Sequence, residues 1–207
     1  MRKGIVGVIL AGGTARRMGG GDKGMLRLNG KTVIEAVLDR LSPQVDRIAL
    51  NANGDPNRFA ALGLEVIADP VLEPIGPLGG VLAALQWVRS AVPEASHVAT
   101  AAADTPFFPR DLVARLADAA GASSVPAIAR TSGRLHPVFA LWPVELADDL
   151  ARHLVKDGSR RVTAYACDLH NAAIVDFPCG PGDDPFFNIN TPDDLERARE
   201  RHRRETP

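Results

Sequence analysis

Ile5-Val6-Gly7-Val8-Ile9-Leu10-Ala11-Gly12-Gly13-Thr14-Ala15-Arg16-Arg17-Met18-Gly19-Gly20-Gly21-Asp22-Lys23 joins a nearly unbroken apolar run to a glycine-rich stretch carrying three cations. A short apolar run without alternation, bounded by glycine, reads as a strand buried on both faces, and such strands belong to parallel sheets covered by helices. The next segments repeat the theme. Asn29-Gly30 marks a turn, and Val33, Ile34, Val37, Leu38 and Leu41 recur at helical spacing until Ser42-Pro43 stops them. Arg47 to Ala52, Leu64 to Ala68 and His97 to Ala103 read as further strands, with helical patterns near Phe59 to Leu62 and Leu78 to Val92 between them. The expected order is β-α-β-α-β-α-β, which defines an α/β fold with a doubly wound, mostly parallel, Rossmann-like sheet.

Downstream, Leu112, Leu116 and Ala119 keep helical spacing, while Ala127 to Ala129 and Pro137 to Trp142 read as strands. Asp193 to Arg203 is a charged closing helix, with Thr191 and Asp194 placed for a capping box and Pro192 in the first turn. No repeat, low-complexity tract or linker interrupts the chain. Residues 1–207 are expected to form one domain, whose N-terminal part binds the ligand carried by the glycine-rich loop.

Composition removes several classes. The chain is 45% hydrophobic but only 5% aromatic, rich in Ala, Val and Leu, as helices packed on a parallel sheet require. A formal net charge of −1 gives no overall basic field for nucleic acid or an anionic membrane, so any anionic ligand must be held by local groups. Cys167 and Cys179 lack the count and spacing of a disulfide framework or a zinc site. Met1-Arg2-Lys3 before an apolar run superficially resembles a signal peptide, but the run ends in Gly12-Gly13 and Arg16-Arg17 without a small-residue cleavage site. No segment approaches the ~18 apolar residues of a membrane span, and a soluble cytoplasmic protein is expected.

The loop after the first strand is built for phosphate. Glycines let backbone N–H groups converge on an anion without Cβ interference, and Arg16, Arg17 and Lys23 can neutralise charge that builds up in phosphoryl chemistry. A Walker A loop is excluded, because Lys23 follows Asp22 and precedes Gly24 where Gly-Lys-Ser/Thr is required. Gly19-x-Gly21-x-x-Gly24 matches the dinucleotide pattern, but begins well after the strand ends, and the next strand closes on Asn51 rather than a ribose-binding acid. Asp22 is read as a residue that orders the loop or pairs with Arg17 or Lys23, with no catalytic role.

Asp104-Thr105-Pro106-Phe107-Phe108-Pro109 directly follows the alanine-rich strand, which places the Asp104 carboxylate at a strand end facing the crevice. Magnesium borrows most of its oxygen ligands from water and phosphates, so one such carboxylate suffices, and Asp104 is the expected ligand of a Mg²⁺ cofactor. Asn51, Asn53 and Asp69 also fall at strand ends, positioned to bond a base or ribose, or else to make turns. Gly76-Pro77-Leu78-Gly79-Gly80 brings backbone amides towards the ligand or makes a close helix–sheet contact. Asn188 and Asn190 alternate on a short extended segment, so both side chains face one side. Arg160 and Arg161 fit a solvated helix face or, alternatively, a contact to a ligand phosphate, and His136 a structural role.

Taken in order, these motifs resemble the molybdenum cofactor guanylyltransferase family, whose members open on L-A-G-G-x-[ST]-x-R-M-G-x-D-K with minor spacing variation. The resemblance covers most of the chain: Asn51-Ala52-Asn53, Ala68-Asp69-Pro70, Gly76 to Gly80, Asp104 to Phe107, His136-Pro137 and Asn188 to Pro192. Three glycines, Gly19 to Gly21, stand before Asp22 where the family pattern varies. The resemblance implies a nucleotidyltransferase fold and transfer of GMP from Mg-GTP to molybdenum-molybdopterin, with release of pyrophosphate. It implies nucleotide contacts at Leu10, Ala11, Gly12, Gly13, Lys23, Asn51, Asp69, Gly80 and Asp104, catalytic roles for Arg17, Lys23 and Asp104, and acceptor contacts at Asn188 and Asn190, the C-terminal part completing the acceptor site. Molybdopterin-inserting enzymes and molybdoenzyme chaperones follow as further partners.

Three alternatives stay open at this level. A cytidylyltransferase for the same cofactor shares fold and chemistry, and the resemblance associates L-A-G-G, with Gly12, with guanine users and L-A-A-G with cytosine users. A sugar-phosphate nucleotidyltransferase fits the loop and the Asn188 to Pro192 segment less well. A non-catalytic nucleotide-binding or cofactor-delivery protein would not need both Lys23 and Asp104.

Overall fold

The computed structural model of the chain describes residues 4–12, 22–70, 76–121, 124–156, 160–180 and 182–205. In order, the elements are β1 (Ile5–Leu10), the short β2 (Arg27–Leu28) and β3 (Lys31–Thr32), α1 (Val33–Leu41), β4 (Arg47–Asn51), β5 (Glu65–Ile67), α2 (Pro77–Ala91) and β6 (His97–Ala102). Then come α3 (Leu112–Ala120), β7 (Ala127–Thr131), β8 (Arg134–Pro143), α4 (Ala147–Val155), β9 (Ala173–Asp176) and α5 (Pro192–Glu205). The main sheet runs β5-β4-β1-β6-β8-β7-β9, with β2 and β3 as a separate ribbon. Every pairing in the main sheet is parallel except the two made by β8, which runs against both β6 and β7.

The unbroken apolar character of β1 follows from its two covered faces. Ile5 and Ile9 pack with Val37 and Leu41 of α1 and Leu116 of α3, while Val6 and Val8 pack on the other side with Leu78, Val81 and Leu85 of α2. Gly7 lies under the end of α1, where a Cβ would meet Val45 Cγ2 at 3.0 Å and Leu41 Cδ2 at 3.1 Å. Glycine therefore sets how closely the helix can approach its strand.

Local chemistry starts and stops these elements. Thr32 caps α1: its Oγ1 accepts from Glu35 N at 3.3 Å, and Glu35 Oε2 accepts from Thr32 N at 2.5 Å. Such a cap contributes about 1 kcal/mol. The capping box expected at the last helix is present, with Asp194 N donating to Thr191 Oγ1 at 3.2 Å and Thr191 N to Asp194 Oδ2 at 3.0 Å. The pattern near Phe59 forms a 3₁₀ helix, Pro56–Leu62, which Gly63 ends in the left-handed region at φ 63°. α4, a π-helical turn at Ala164–Leu169 and β9 are elements that the sequence pattern alone did not bring out.

Two features carry the fold towards a site. The chain goes from β1 to β4 and β5 on one side, then returns through α2 to β6 on the other, so the winding reverses between β1 and β6. Ligands of open α/β sheets bind at such a point, beyond the carboxyl ends of the strands. A third core cluster joins Leu28 and Val33 to Phe107, Ile189, Leu195 and Ala198, and anchors the C-terminal segment beside that end of the sheet.

Candidate active site

A cavity of about 520 Å³ opens at the reversal point, a volume suited to a small-molecule ligand. The strand ends that form its floor are level. Leu10 pairs with both Asn51 and Ala102, Ala11 N donates to Asn51 O at 2.8 Å, and Ala103 N donates to Leu10 O at 3.1 Å. Gly12 and Asp104 consequently emerge side by side above the sheet. Leu10, Ala11, Gly12, Lys23, Asn51, Asp69, Gly80, Asp104 and Asn188 all line the cavity. Gly13 and Arg17 lie outside the described residues.

The centre of the site is a polar chain drawn from three distant parts of the sequence. Lys23 Nζ lies 3.3 Å from Asp104 Oδ2 and donates to Asn190 Oδ1 at 2.5 Å. The Thr105 hydroxyl donates to Asp104 Oδ1 at 3.2 Å and also to Asn188 Oδ1. Asn188 and Asn190 belong to no sheet, yet both side chains reach this cluster, because Ile189 N between them donates to Asp104 O at 2.9 Å. The segment is thus pinned across the end of β6. Lys23 and Asp104 are about four-fifths buried, at 18% and 19% side-chain exposure. Ion pairs of this kind add little net stability, so what the pair does is place charge at the cavity.

Gly24 brings Lys23 there. A Cβ on Gly24 would lie 3.2 Å from Ile34 Cβ and 3.4 Å from Ala103 O, so the turn can press against the end of β6 only without a side chain. Asp22 orders the loop, as expected, through a partner that the sequence did not indicate, while Arg17 lies outside the described residues. The Asp22 carboxylate bonds Arg58 Nε at 2.7 Å, and the same guanidinium donates to Asn53 O at 2.6 Å and Asp55 O at 2.7 Å. Arg58 therefore ties the end of the glycine-rich stretch to the loop after β4. Nothing local in the sequence marks a pairing between residues so far apart.

A second network fixes the opposite wall. The Asp69 carboxylate accepts from Asn51 Nδ2 and Asn53 Nδ2, each at 2.9 Å, while Asp69 N donates to Asn53 Oδ1 at 2.8 Å. Asn51 Nδ2 also donates to Ile67 O at 3.2 Å, so its orientation is set and Oδ1 faces α2. Gly80 makes this possible: a Cβ there would collide with Asn51 Oδ1 and lie 3.0 Å from Leu10 Cδ2. Alanine is preferred to glycine inside a helix by about 1 kcal/mol, but overpacking a buried contact costs about 1–3 kcal/mol. We predict that Gly80→Ala lowers the midpoint of chemical denaturation; a more stable variant would contradict the packing argument.

His136 is buried and stacked on Phe186, with ring centroids 4.4 Å apart, and burial lowers its pKa from the ordinary histidine value. It does not line the cavity above the sheet. Val138 does, through a bulge that sets Pro137 to Phe139 outside the β7–β8 register. Thr100 Oγ1 accepts from Trp142 Nε1 at 3.1 Å and donates to the carbonyl of Val138 at 2.7 Å.

A doubly wound sheet with a lysine–aspartate pair at its reversal point, beside a glycine-lined cavity, defines a nucleotidyltransferase. Residues 7–172 match the model of the MobA-like NTP transferase domain, and the chain belongs to that family. It is 49% identical over 202 residues to the molybdenum cofactor guanylyltransferase of Mesorhizobium japonicum, covering 96% of each chain. It is 50% identical over 192 residues to that of Rhodopseudomonas palustris, covering 92% of this chain and 90% of the relative. The solved molybdopterin-guanine dinucleotide biosynthesis protein A of Archaeoglobus fulgidus superposes with a TM-score of 0.70 at 28% identity, over 97% and 99% of the two chains.

Nucleotidyltransferases of this kind typically use a divalent metal. The residues present fit such an ion. Asp104 offers a carboxylate at the cavity, and no group of three or more His, Cys, Asp or Glu stands ready to hold a metal among the described residues. One carboxylate suits a hard cation that takes its remaining ligands from phosphate and water. None of the described helices is long and apolar enough to cross a membrane.

Proposed function

We propose that this chain transfers GMP from Mg-GTP to molybdenum-molybdopterin, in the cytoplasm where nucleoside triphosphate is supplied, forming the guanine dinucleotide cofactor and releasing pyrophosphate. The observation that carries the reading is the Lys23–Asp104 pair at one cavity, with Asn190 bonded to Lys23 and Asn188 lining the same cavity, in a chain about half identical to guanylyltransferases along nearly its whole length. Residues 1–207 act as one nucleotidyltransferase domain. The N-terminal half binds nucleotide through Leu10, Ala11, Gly12, Gly13, Lys23, Asn51, Asp69, Gly80 and Asp104, and Asn188 and Asn190 hold the acceptor.

An oxygen of the acceptor phosphate attacks the α-phosphorus in line, a new P–O bond forms, and the bond to the β-phosphate oxygen breaks. The protein's part is positioning and charge. Lys23 and Arg17 offset negative charge on the transferring phosphorus and departing pyrophosphate, and the loop amides orient the triphosphate. Asp104 would hold magnesium, which when bound supplies Lewis-acid stabilisation to phosphate oxygens. Asp69, itself held by Asn53, fixes the orientation of the Asn51 amide in the wall where the base would lie.

Gly12 supports guanine. A Cβ at Gly12 would meet no atom of the described residues within 4 Å, so a side chain there would take up space at the cavity that a larger base needs. The test is incorporation of label from [α-³²P]GTP and [α-³²P]CTP into molybdopterin with magnesium present. Label from GTP in the dinucleotide product is the expected result, and preferential incorporation from CTP would reverse the base assignment.

A further inference from the structure

A second cavity, of about 650 Å³, lies between the β7–β8 hairpin and α5 and is separate from the nucleotide cavity. One segment walls both: Phe187 lines the second cavity, and its neighbour Asn188 lines the first. Among the described residues, three buried side-chain atoms lack a hydrogen-bond partner, and two of them, Thr131 Oγ1 and His136 Nε2, belong to residues lining this second cavity. Thr131 is 4% exposed and His136 7%. Buried polar groups are nearly always paired, so two orphans in residues that line one cavity mark unmet hydrogen-bonding capacity in its wall.

The charge around the cavity specifies the ligand that would meet it. Four arginines line it, Arg134, Arg197, Arg201 and Arg204, against two acids, Asp184 and Glu200. Arg201 is committed to Asp183, Glu205 and the Asp184 carbonyl. Arg197 lies over the Phe187 ring, 4.8 Å from its centroid, and 3.9 Å from Asp194. The Arg134 and Arg204 side chains have neither a hydrogen-bond nor an ion-pair partner among the described residues. Guanidinium groups select oxyanions through forked, charge-assisted bonds.

We propose that this cavity is a second, non-catalytic binding site for a phosphate-type oxyanion, with Arg134 and Arg204 meeting its charge and Thr131 and His136 its remaining oxygens. The oxyanion is either free or part of a phosphate ester. Calorimetric titration with inorganic phosphate and with ribose 5-phosphate separates these sources, using the full chain carrying Lys23→Met so that the nucleotide cavity is weakened. One-to-one, saturable binding of either probe is expected, with affinity at least tenfold weaker when Arg134→Gln and Arg204→Gln are added. Saturation by inorganic phosphate identifies the free ion, and saturation by ribose 5-phosphate alone identifies the ester. Absence of saturable binding by both probes, or equal affinity in the arginine variant, would overturn the proposal. In an otherwise wild-type background, Arg134→Gln with Arg204→Gln should leave GTP affinity unchanged, so a failure here is distinguishable from a failure of the nucleotide site.

Discussion

Replacing Asp104 by alanine should reduce the rate of GMP transfer by about 100- to 1000-fold, the scale of losing one charge-organising group from an active site. The fold should survive. The backbone bond from Ile189 N to Asp104 O does not need the carboxylate, and the Asn188 to Asn190 segment stays anchored through Ile189, which is fully buried in the third core cluster. Removing the carboxylate leaves Lys23 bonded to Asn190, so the ammonium keeps a partner. Loss of turnover at unchanged unfolding midpoint is therefore expected, with manganese binding in the presence of nucleotide weakened in parallel. Full magnesium-dependent turnover by the variant would remove Asp104 from the mechanism.

Lys23→Met should cost about 100-fold in kcat/KM for GTP, by a different route. Methionine keeps the length of the side chain and its packing beside Gly24, but takes away the cation that meets Asp104 and Asn190. In the nucleotide-free protein the Asp104 carboxylate then loses its neighbouring positive charge and becomes a freer ligand. Manganese affinity of the free variant should accordingly rise or stay level while turnover falls, the opposite pattern from Asp104→Ala. A variant that loses metal binding as well would show that Lys23 organises the carboxylate rather than the phosphates.

The contrast between these two residues also marks how far the sequence could be read. Asp104 was legible because an acid directly after a buried strand has one place to go in a doubly wound sheet, and Lys23 because it closes a glycine-rich stretch after β1. Their mutual contact was not, since it depends on Gly24 fitting between Ile34 and Ala103, a packing fact with no local signature. Asp22 shows the same limit: its carboxylate has nearby cations in sequence, but Arg58 reaches it across the fold. The asparagines at 188 and 190 were grouped correctly by alternation, although what aligns them is the bond of Ile189 to the end of β6 rather than a strand.

The fold was read most surely where burial is two-sided. β1, β4 and β6 and the helices α1, α2 and α3 follow the apolar pattern closely, whereas α5 was read from its charge and its capping box. β9 did not emerge, being four residues long with only Val175 buried, and its place beside β7 depends on pairing rather than on its own pattern. The reversed direction of β8 was likewise invisible, because a buried strand looks alike whichever way it runs. Gly80 sits between these cases. Its part of the sequence admitted a role near the ligand or a close helix–sheet contact; the structure shows the close contact, with Asn51 as the group it accommodates, and places Gly80 in the cavity wall.

A crystal structure of the protein with a non-hydrolysable GTP analogue and manganese tests the central claim most directly. The account predicts an anomalous manganese peak at the Asp104 carboxylate, phosphates beside Lys23 and guanine against the wall formed by Asn51 and Asp69. Nucleotide bound away from the end of β1, with no ion at Asp104, would contradict it.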